Sequence, residues 1–228
     1  MSKLKNVTGN MMIKNEEKYI RQTIRSVAPY LERLIIVDTG STDKTLEYVT
    51  ELMKEFPQIE LFKENVTGDS IHWTGNHLSQ QLTDVRNQMI KLSKTPWIMQ
   101  IDGDEIYPKE TIDRLINIMD KLDIETGLRW VVGIMIKIKW CTSPSEFVEP
   151  GPFDRTLRIF KNGGTWVGKF PDEFLYIDNQ PIHILDRRCI TVDKPFLHMS
   201  MDLHAERRPS NGELTPLSLD EIEILRIK

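Results

Sequence analysis

The stretch Pro96–Tyr107, PWIMQIDGDEIY, runs from an apolar segment straight into Asp102, Gly103, Asp104 and Glu105. Ile98, Met99 and Ile101 read as a buried strand, and such a strand normally ends in a turn with few charges. Three carboxylates in four positions repel one another unless positive charge sits among them. A cation is therefore the first expectation for this turn.

The segments on either side set the frame. Upstream, NVTGNMMI (6–13) reads as a strand, and Ile20, Ile24 and Val27 then fall on one face of a helix. RLIIVD (33–38) is a second strand, and TGSTDKT (39–45) turns into a helix carrying Leu46, Val49, Met53 and Phe56. IELF (59–62) is a third strand; a helix with Leu82, Val85, Met89 and Leu92 in phase leads into the opening stretch. Behind that stretch, Ile112, Leu115, Met119 and Leu122 mark another helix. This alternation predicts a mostly parallel, doubly wound sheet with helices on both faces. Ligands of such sheets bind beyond the carboxyl ends of the strands, where Asp38 and Asp102 should share one rim.

The second half has a different rhythm. WVVGIMIKIKW (130–140) alternates as a strand with one fully apolar face, and TLRIFKNGGTWVGKF (156–170) reads as a strand, a glycine turn and a return strand. CTSPSEFVEPGPFD (141–154) has the composition of an exposed loop; its Phe147 and Phe153 could contact an acceptor or anchor in the core. The expected organisation is one domain over residues 1–205, with halves meeting near residue 122, then a polar tail (206–228) ending in a short amphipathic helix.

Composition excludes several classes. A chain of 228 residues with a net charge of −4 and no long basic block has no general pull towards nucleic acid or anionic membrane. No apolar run reaches spanning length, and the first residues lack the apolar core of a signal peptide. Cys141 and Cys189 have no metal-type spacing, so a reducing, cytoplasmic setting is the simplest expectation.

Three clusters could carry chemistry. In VDTGSTDKT (37–45), Asp38 can accept hydrogen bonds from a base or ribose, Gly40 allows a tight turn, and Ser41, Thr42 or Asp43 can cap the helix. The plain alternative is a well-capped turn. In DGDE (102–105), paired hard carboxylates suit Mg²⁺ or Mn²⁺ with a substrate diphosphate, the alternative being a solvated acidic turn. In DVRN (84–87), Arg86 can clamp a phosphate or simply make a surface ion pair.

Taken together, KNEE (14–17), VDTGSTDKT (37–45), VRN (85–87) and W…DGDE (97–105) stand in an order that resembles family 2 of the nucleotide-sugar glycosyltransferases. That family is the inverting group with a GT-A fold, and the wording is similar to its bacterial and viral branch. The resemblance is close over roughly residues 8–122. It implies a Rossmann-like, mostly parallel sheet plus a small antiparallel sheet on the acceptor side. It further implies a nucleoside-diphosphate-sugar donor, most often a UDP-sugar, a saccharide or other hydroxyl acceptor, and Mn²⁺ or Mg²⁺ as cofactor. Met12, Lys14, Glu16, Asp38, Gly40, Arg86, Asp102 and Gly103 match donor-binding positions. Asp104, Asp102 and His198 match the metal site, and Glu105 is left as a helix cap or a support behind the ligands.

Inverting transfer needs a base for the acceptor hydroxyl. Where relatives carry a His-Glu pair, this chain has Pro171, Asp172 and Glu173, so the base is carried onto Glu173 with Asp172 as competitor. The missing histidine leaves open a donor-binding module without transfer. A sugar nucleotidyltransferase is a further alternative, although MMIKNEEKYI (11–20) has no Gly-rich loop after the first strand. The absence of a Q-x-x-R-W motif argues for transfer of a single sugar over processive synthesis.

Overall fold

Strand β4 (Trp97–Asp102) is buried from Trp97 to Ile101, apolar there except for Gln100, because both of its faces are covered. Trp97, Met99 and Ile101 belong to the main core with Ile20, Ile24, Val49 and Ile112, whereas Ile98 packs with Ile90 and Phe160 on the other side. Asp102 is the first position of the strand that is not fully buried. In this computed structural model the described residues are 2–64, 66, 80–124, 130–149, 154–168, 174–199 and 213–226.

The parallel part of the sheet comprises β1 (Val7–Ile13), β2 (Arg33–Asp38), β3 (Ile59–Lys63) and β4. Helices α1 (Ile20–Val27), α2 (Thr45–Glu55) and α4 (Lys109–Ile124) bury their apolar stripes against one face. Helix α3 (Gln80–Leu92) covers the other face, where Val85 and Met89 meet Ile35 and Val37. The register pairs Ile13 with Asp38 and Met12 with Asp102, so both carboxylates end their strands on one rim.

Beyond β4 the sheet turns antiparallel. Its strand order is β13-β7-β6-β8-β4-β1-β2-β3, with β6 (Gly133–Ser143), β7 (Glu146–Glu149), β8 (Arg155–Lys161) and β13 (Glu213–Pro216). The alternation read from Trp130 to Trp140 is real from Gly133 onward, and the strand buries Ile134, Ile136, Ile138 and Trp140. Strand β12 (Cys189–His198) runs parallel to β6, and its end pairs with the short β5 (Glu105–Ile106), setting His198 opposite Glu105.

Two expectations are corrected. The stretch beginning at Cys141 is not a plain loop: β6 continues to Ser143, turns at Pro144–Ser145 and returns as β7. The reason is Phe147, which is buried with Cys141 and Leu217; Phe153 lies outside the described residues. Nor do the strands around Asn162–Gly164 form a hairpin. Strand β8 already has β4 and β6 on its two sides and offers no free edge. The returning β9 (Thr165–Val167) instead joins β10 (Phe174–Ile177) and β11 (Gln180–Pro181) in a separate three-stranded antiparallel sheet.

The C-terminal residues also pack. Strand β13 extends the sheet edge against β7, and α5 (Leu219–Arg226) places Leu225 with Tyr19, Ile106 and Leu197. Ser218 and Glu221 cap that helix reciprocally: the Ser218 amide donates to Glu221 Oε2, and the Glu221 amide donates to Ser218 Oγ. Among the described residues, no helix is long and apolar enough to cross a membrane.

Candidate active site

The rim is assembled from two loops that lace together. After β1, the Asn15 amide donates to Ser41 Oγ (2.9 Å) and the Glu16 amide to Thr45 Oγ1 (2.7 Å). In the other direction, the Thr42 amide donates to Asn15 Oδ1 and the Lys44 amide to Glu17 Oε2. Asp38, buried at the end of β2, accepts from the amides of Gly40 (3.1 Å) and Ser41 (3.2 Å). Gly40 has φ +106°, a conformation that favours glycine, which explains the residue type at this turn. None of the three expected residues is the N-cap of α2, which falls at Lys44 without a side-chain cap; Asp43, just before it, accepts from the Thr45 amide at 3.0 Å. Met12 and Lys14, half-buried, lie at the end of β1 and just past it.

Glu16 connects these loops to the DGDE turn. A Cβ on Gly103 would come within 2.5 Å of Glu16 Cγ, so the glycine is what lets Glu16 lie across the turn. Thr23 of α1 holds the same turn by donating to the Gly103 carbonyl at 2.8 Å.

Beneath the turn sits a buried cluster of charge. Arg158, from β8, reaches across the seam between β8 and β4 and donates through Nη2 to Asp102 Oδ2 (2.9 Å) and to Glu105 Oε1. The other oxygen of Glu105 accepts from the Tyr107 hydroxyl (3.0 Å) and the Asp102 amide (3.2 Å). His198 approaches from β12, its Nε2 lying 3.4 Å from Asp104 Oδ1 and its ring packed on Trp140. Glu105 has no solvent exposure at all, so it is neither a solvated turn residue nor a simple helix cap.

The electrostatics follow from burial and neighbours. Burial pushes the Glu105 carboxyl up to about 7, with Asp102 and Asp104 adding to the effect and Arg158 opposing it. For Asp102 burial acts in the same direction, but the charges of Arg158, Arg86 and His198 prevail and hold it below its usual value. His198 is raised despite burial, because the Asp104 carboxylate favours its protonated form.

Among the described residues, one set of donor atoms suits a divalent cation: carboxylate oxygens of Asp102 and Glu105 and an imidazole nitrogen of His198, all within 4.8 Å of one another. Asp102 and His198 are two of the three expected ligands, and Asp104 touches His198 beside them. Arg86, on α3, lies with its guanidinium 4.9 Å from the Trp166 ring centroid, close enough to Asp102 for its charge to act there. Asp172 and Glu173, in the connection from β9 to β10, fall outside the described residues.

Sequence reading missed Arg158 and Tyr107. The signal was present: Arg158 stands between Leu157 and Ile159 in a strand, and an arginine forced inward needs carboxylates, which DGDE supplies.

With this geometry in place, the likeness to known proteins is informative. Glycosyltransferase SunS of Bacillus subtilis is 26% identical over 117 residues, covering 51% of this chain and 24% of SunS. An uncharacterized glycosyltransferase of Rickettsia bellii is 24% identical over 158 residues, covering 68% of this chain and 46% of its own length. The chain thus spans less than half the length of either relative. Among solved structures, the mannosyltransferase PcManGT of Pyrobaculum calidifontis, in complex with GDP-Man and Mn²⁺, shares the fold. Its TM-score is 0.54 at 15% identity over 92% of this chain and 60% of the mannosyltransferase. The pattern of glycosyl transferase family 2 matches residues 11–176, well over half of the sequence, so the chain belongs to that family and carries its GT-A fold.

Proposed function

We propose that this chain transfers a single sugar, with inversion, from a nucleoside-diphosphate-sugar to a hydroxyl of a saccharide, lipid or protein acceptor, using Mn²⁺ or Mg²⁺. A UDP-sugar is the favoured donor. The observation that carries the reading is the convergence of Asp102, Asp104, Glu105 and His198 beneath the rim that also holds Asp38. A GDP-sugar and Mn²⁺ held together by the Pyrobaculum neighbour support the same chemistry on this fold.

In this reading Asp38, Met12, Lys14, Glu16 and Gly40 line the nucleoside side. Arg86, Asp102 and Gly103 face the diphosphate. Asp102, Asp104 and His198 would hold the cation, and Glu105 is near enough to join them. The bound cation would supply Lewis-acid stabilisation of charge on the departing diphosphate. Arg158 keeps Asp102 ionised and oriented, and Tyr107 fixes Glu105 from behind. Glu173, or Asp172 next to it, takes the proton of the acceptor hydroxyl as the glycosidic bond forms.

The test is a thermal-shift panel of UDP-, GDP- and dTDP-sugars with and without Mn²⁺. The cognate donor raises the melting temperature because it binds the folded state alone. Asp104→Ala should remove the Mn²⁺-dependent part of that rise. A panel in which no donor shifts wild-type melting sinks the reading, and release of pyrophosphate from a nucleoside triphosphate would replace it with nucleotidyl transfer.

A further inference from the structure

Trp166 occupies an unusual position for a tryptophan. Its backbone is pinned from both sides by one residue of α3: Asn87 Nδ2 donates to the Trp166 carbonyl (2.9 Å), and the Trp166 amide donates to Asn87 Oδ1 (2.8 Å). These two bonds imitate a step of sheet pairing and attach β9 to the helix that carries Arg86. The indole then stands edge-on to Phe160, with centroids 6.3 Å apart at 89°, and presents its face to the Arg86 guanidinium at 4.9 Å.

The indole N–H makes this arrangement informative. It is buried and has no acceptor among the described residues. Leaving such a donor unsatisfied costs about 1–3 kcal/mol, so packing alone would favour phenylalanine here. What tryptophan offers in exchange is the strongest cation–π face of any side chain. The cation on that face is Arg86, whose charge also reaches Asp102 at the rim.

We propose that Trp166, clamped by Asn87, is a positioning residue that aims Arg86 at the donor diphosphate. The small sheet is thereby coupled to the phosphate end of the donor site. This inference rests on the donor-binding reading above. It assigns to β9 and α3 a role in phosphate affinity that neither strand packing nor helix packing requires.

Titration calorimetry with UDP, GDP and dTDP in the presence of Mn²⁺, together with melting curves, provides the test. Trp166→Leu should weaken the nucleotide that binds wild type by about 3–30-fold, the range of a partly to fully desolvated cation–π contact. Trp166→Phe should weaken it less while melting at or above the wild-type temperature. Asn87→Ala should reproduce the loss and speed hydrogen exchange at the Trp166 amide. Wild-type affinity in Trp166→Leu, with weakened binding in Arg86→Met, would overturn the positioning role and leave the donor reading intact. Parallel losses of affinity and melting temperature in Trp166→Phe would also overturn it, by reducing Trp166 to a packing residue. Failure of the wild type to bind any of the three nucleotides would overturn the donor reading itself, and this inference with it.

Discussion

The sheet has two halves built on opposite principles, and the charged site lies where they meet. From β4 to β3 the strands are parallel and separated by helices, and the carboxylates gather at their carboxyl ends. From β8 to β13 the path is antiparallel, and apart from the β6–β7 hairpin its neighbours are joined by longer connections. Arg158 belongs to the second half, whereas Asp102 ends a strand of the first and Glu105 follows it on β5, which pairs with β12. Neither half alone makes a stable charge arrangement at the rim. The parallel half supplies a surplus of negative charge, and the other side of the seam contributes a buried cation from β8 and an imidazole from β12, the strand beside β6.

The largest expected effect is on activity. If Glu173, in the connection from β9 to β10 outside both halves, is the base, Glu173→Gln should lower the rate of transfer by about 10²–10⁴-fold while donor binding persists. Asp172→Asn should do far less. Single-turnover assays with the cognate donor decide between them, and the reverse ranking would move the base to Asp172.

The next effect concerns the seam. Arg158→Met leaves the fully buried Glu105 without its counter-charge beside the partly exposed Asp102, and breaking a buried pair of this kind costs up to about 3–5 kcal/mol. Glu105 softens that loss by taking up a proton, since burial already holds it near 7. Hence Glu105→Gln combined with Arg158→Met should be less destabilised than the sum of the single changes. A double-mutant cycle by urea denaturation measures the difference, and simple additivity would show that the two side chains do not communicate.

How much of this was legible depended on the half. The parallel strands and their helices could be read because each strand buries a mostly apolar run and each helix a regular stripe, and Asp38 and Asp102 fell at strand ends by simple counting. The antiparallel half could not be read in the same way. Whether β8 pairs with β9 is decided by β4 and β6 having already taken both edges of β8, which no local pattern in TLRIFKNGGTWVG reveals. Phe147 likewise turned a Pro- and Ser-rich stretch into a hairpin by finding a buried place against Leu217, seventy residues away. Within the site, the carboxylates were visible as residue types. Their division was not: Glu105 became the most deeply buried of them because β5 pairs with β12.

A packing change inside the parallel half should have a moderate effect. A Cβ on Gly9, the third residue of β1, would stand 2.6 Å from Leu31 Cδ1 and 2.8 Å from Leu34 Cδ1. Both contacts are the ends of side chains that can rotate, so Gly9→Ala should cost about 1–3 kcal/mol and leave the fold intact. Chemical denaturation reads the loss, and an unchanged midpoint would mean that the core beneath β1 is looser than its burial indicates.

The smallest effect lies where α5 is tied to β6, and it depends on pH. Lys139 of β6 donates to both oxygens of Glu221, which caps α5 together with Ser218. Burial works against the charged form of Glu221, yet these hydrogen bonds prevail and hold its folded value below the ordinary one. A depressed carboxylate value means that the stabilisation is complete above the unfolded value and disappears as pH falls through the folded one. Acidification should therefore loosen α5 before the parallel core, with a loss of about 1–2 kcal/mol for the charge-assisted hydrogen bonds. Glu221→Gln should abolish this pH dependence while keeping the cap shape. Hydrogen exchange of α5 amides against pH follows the change directly. If α5 exchanged no faster than β1 at acid pH, the Lys139–Glu221 pair would have no share in holding the helix to the sheet.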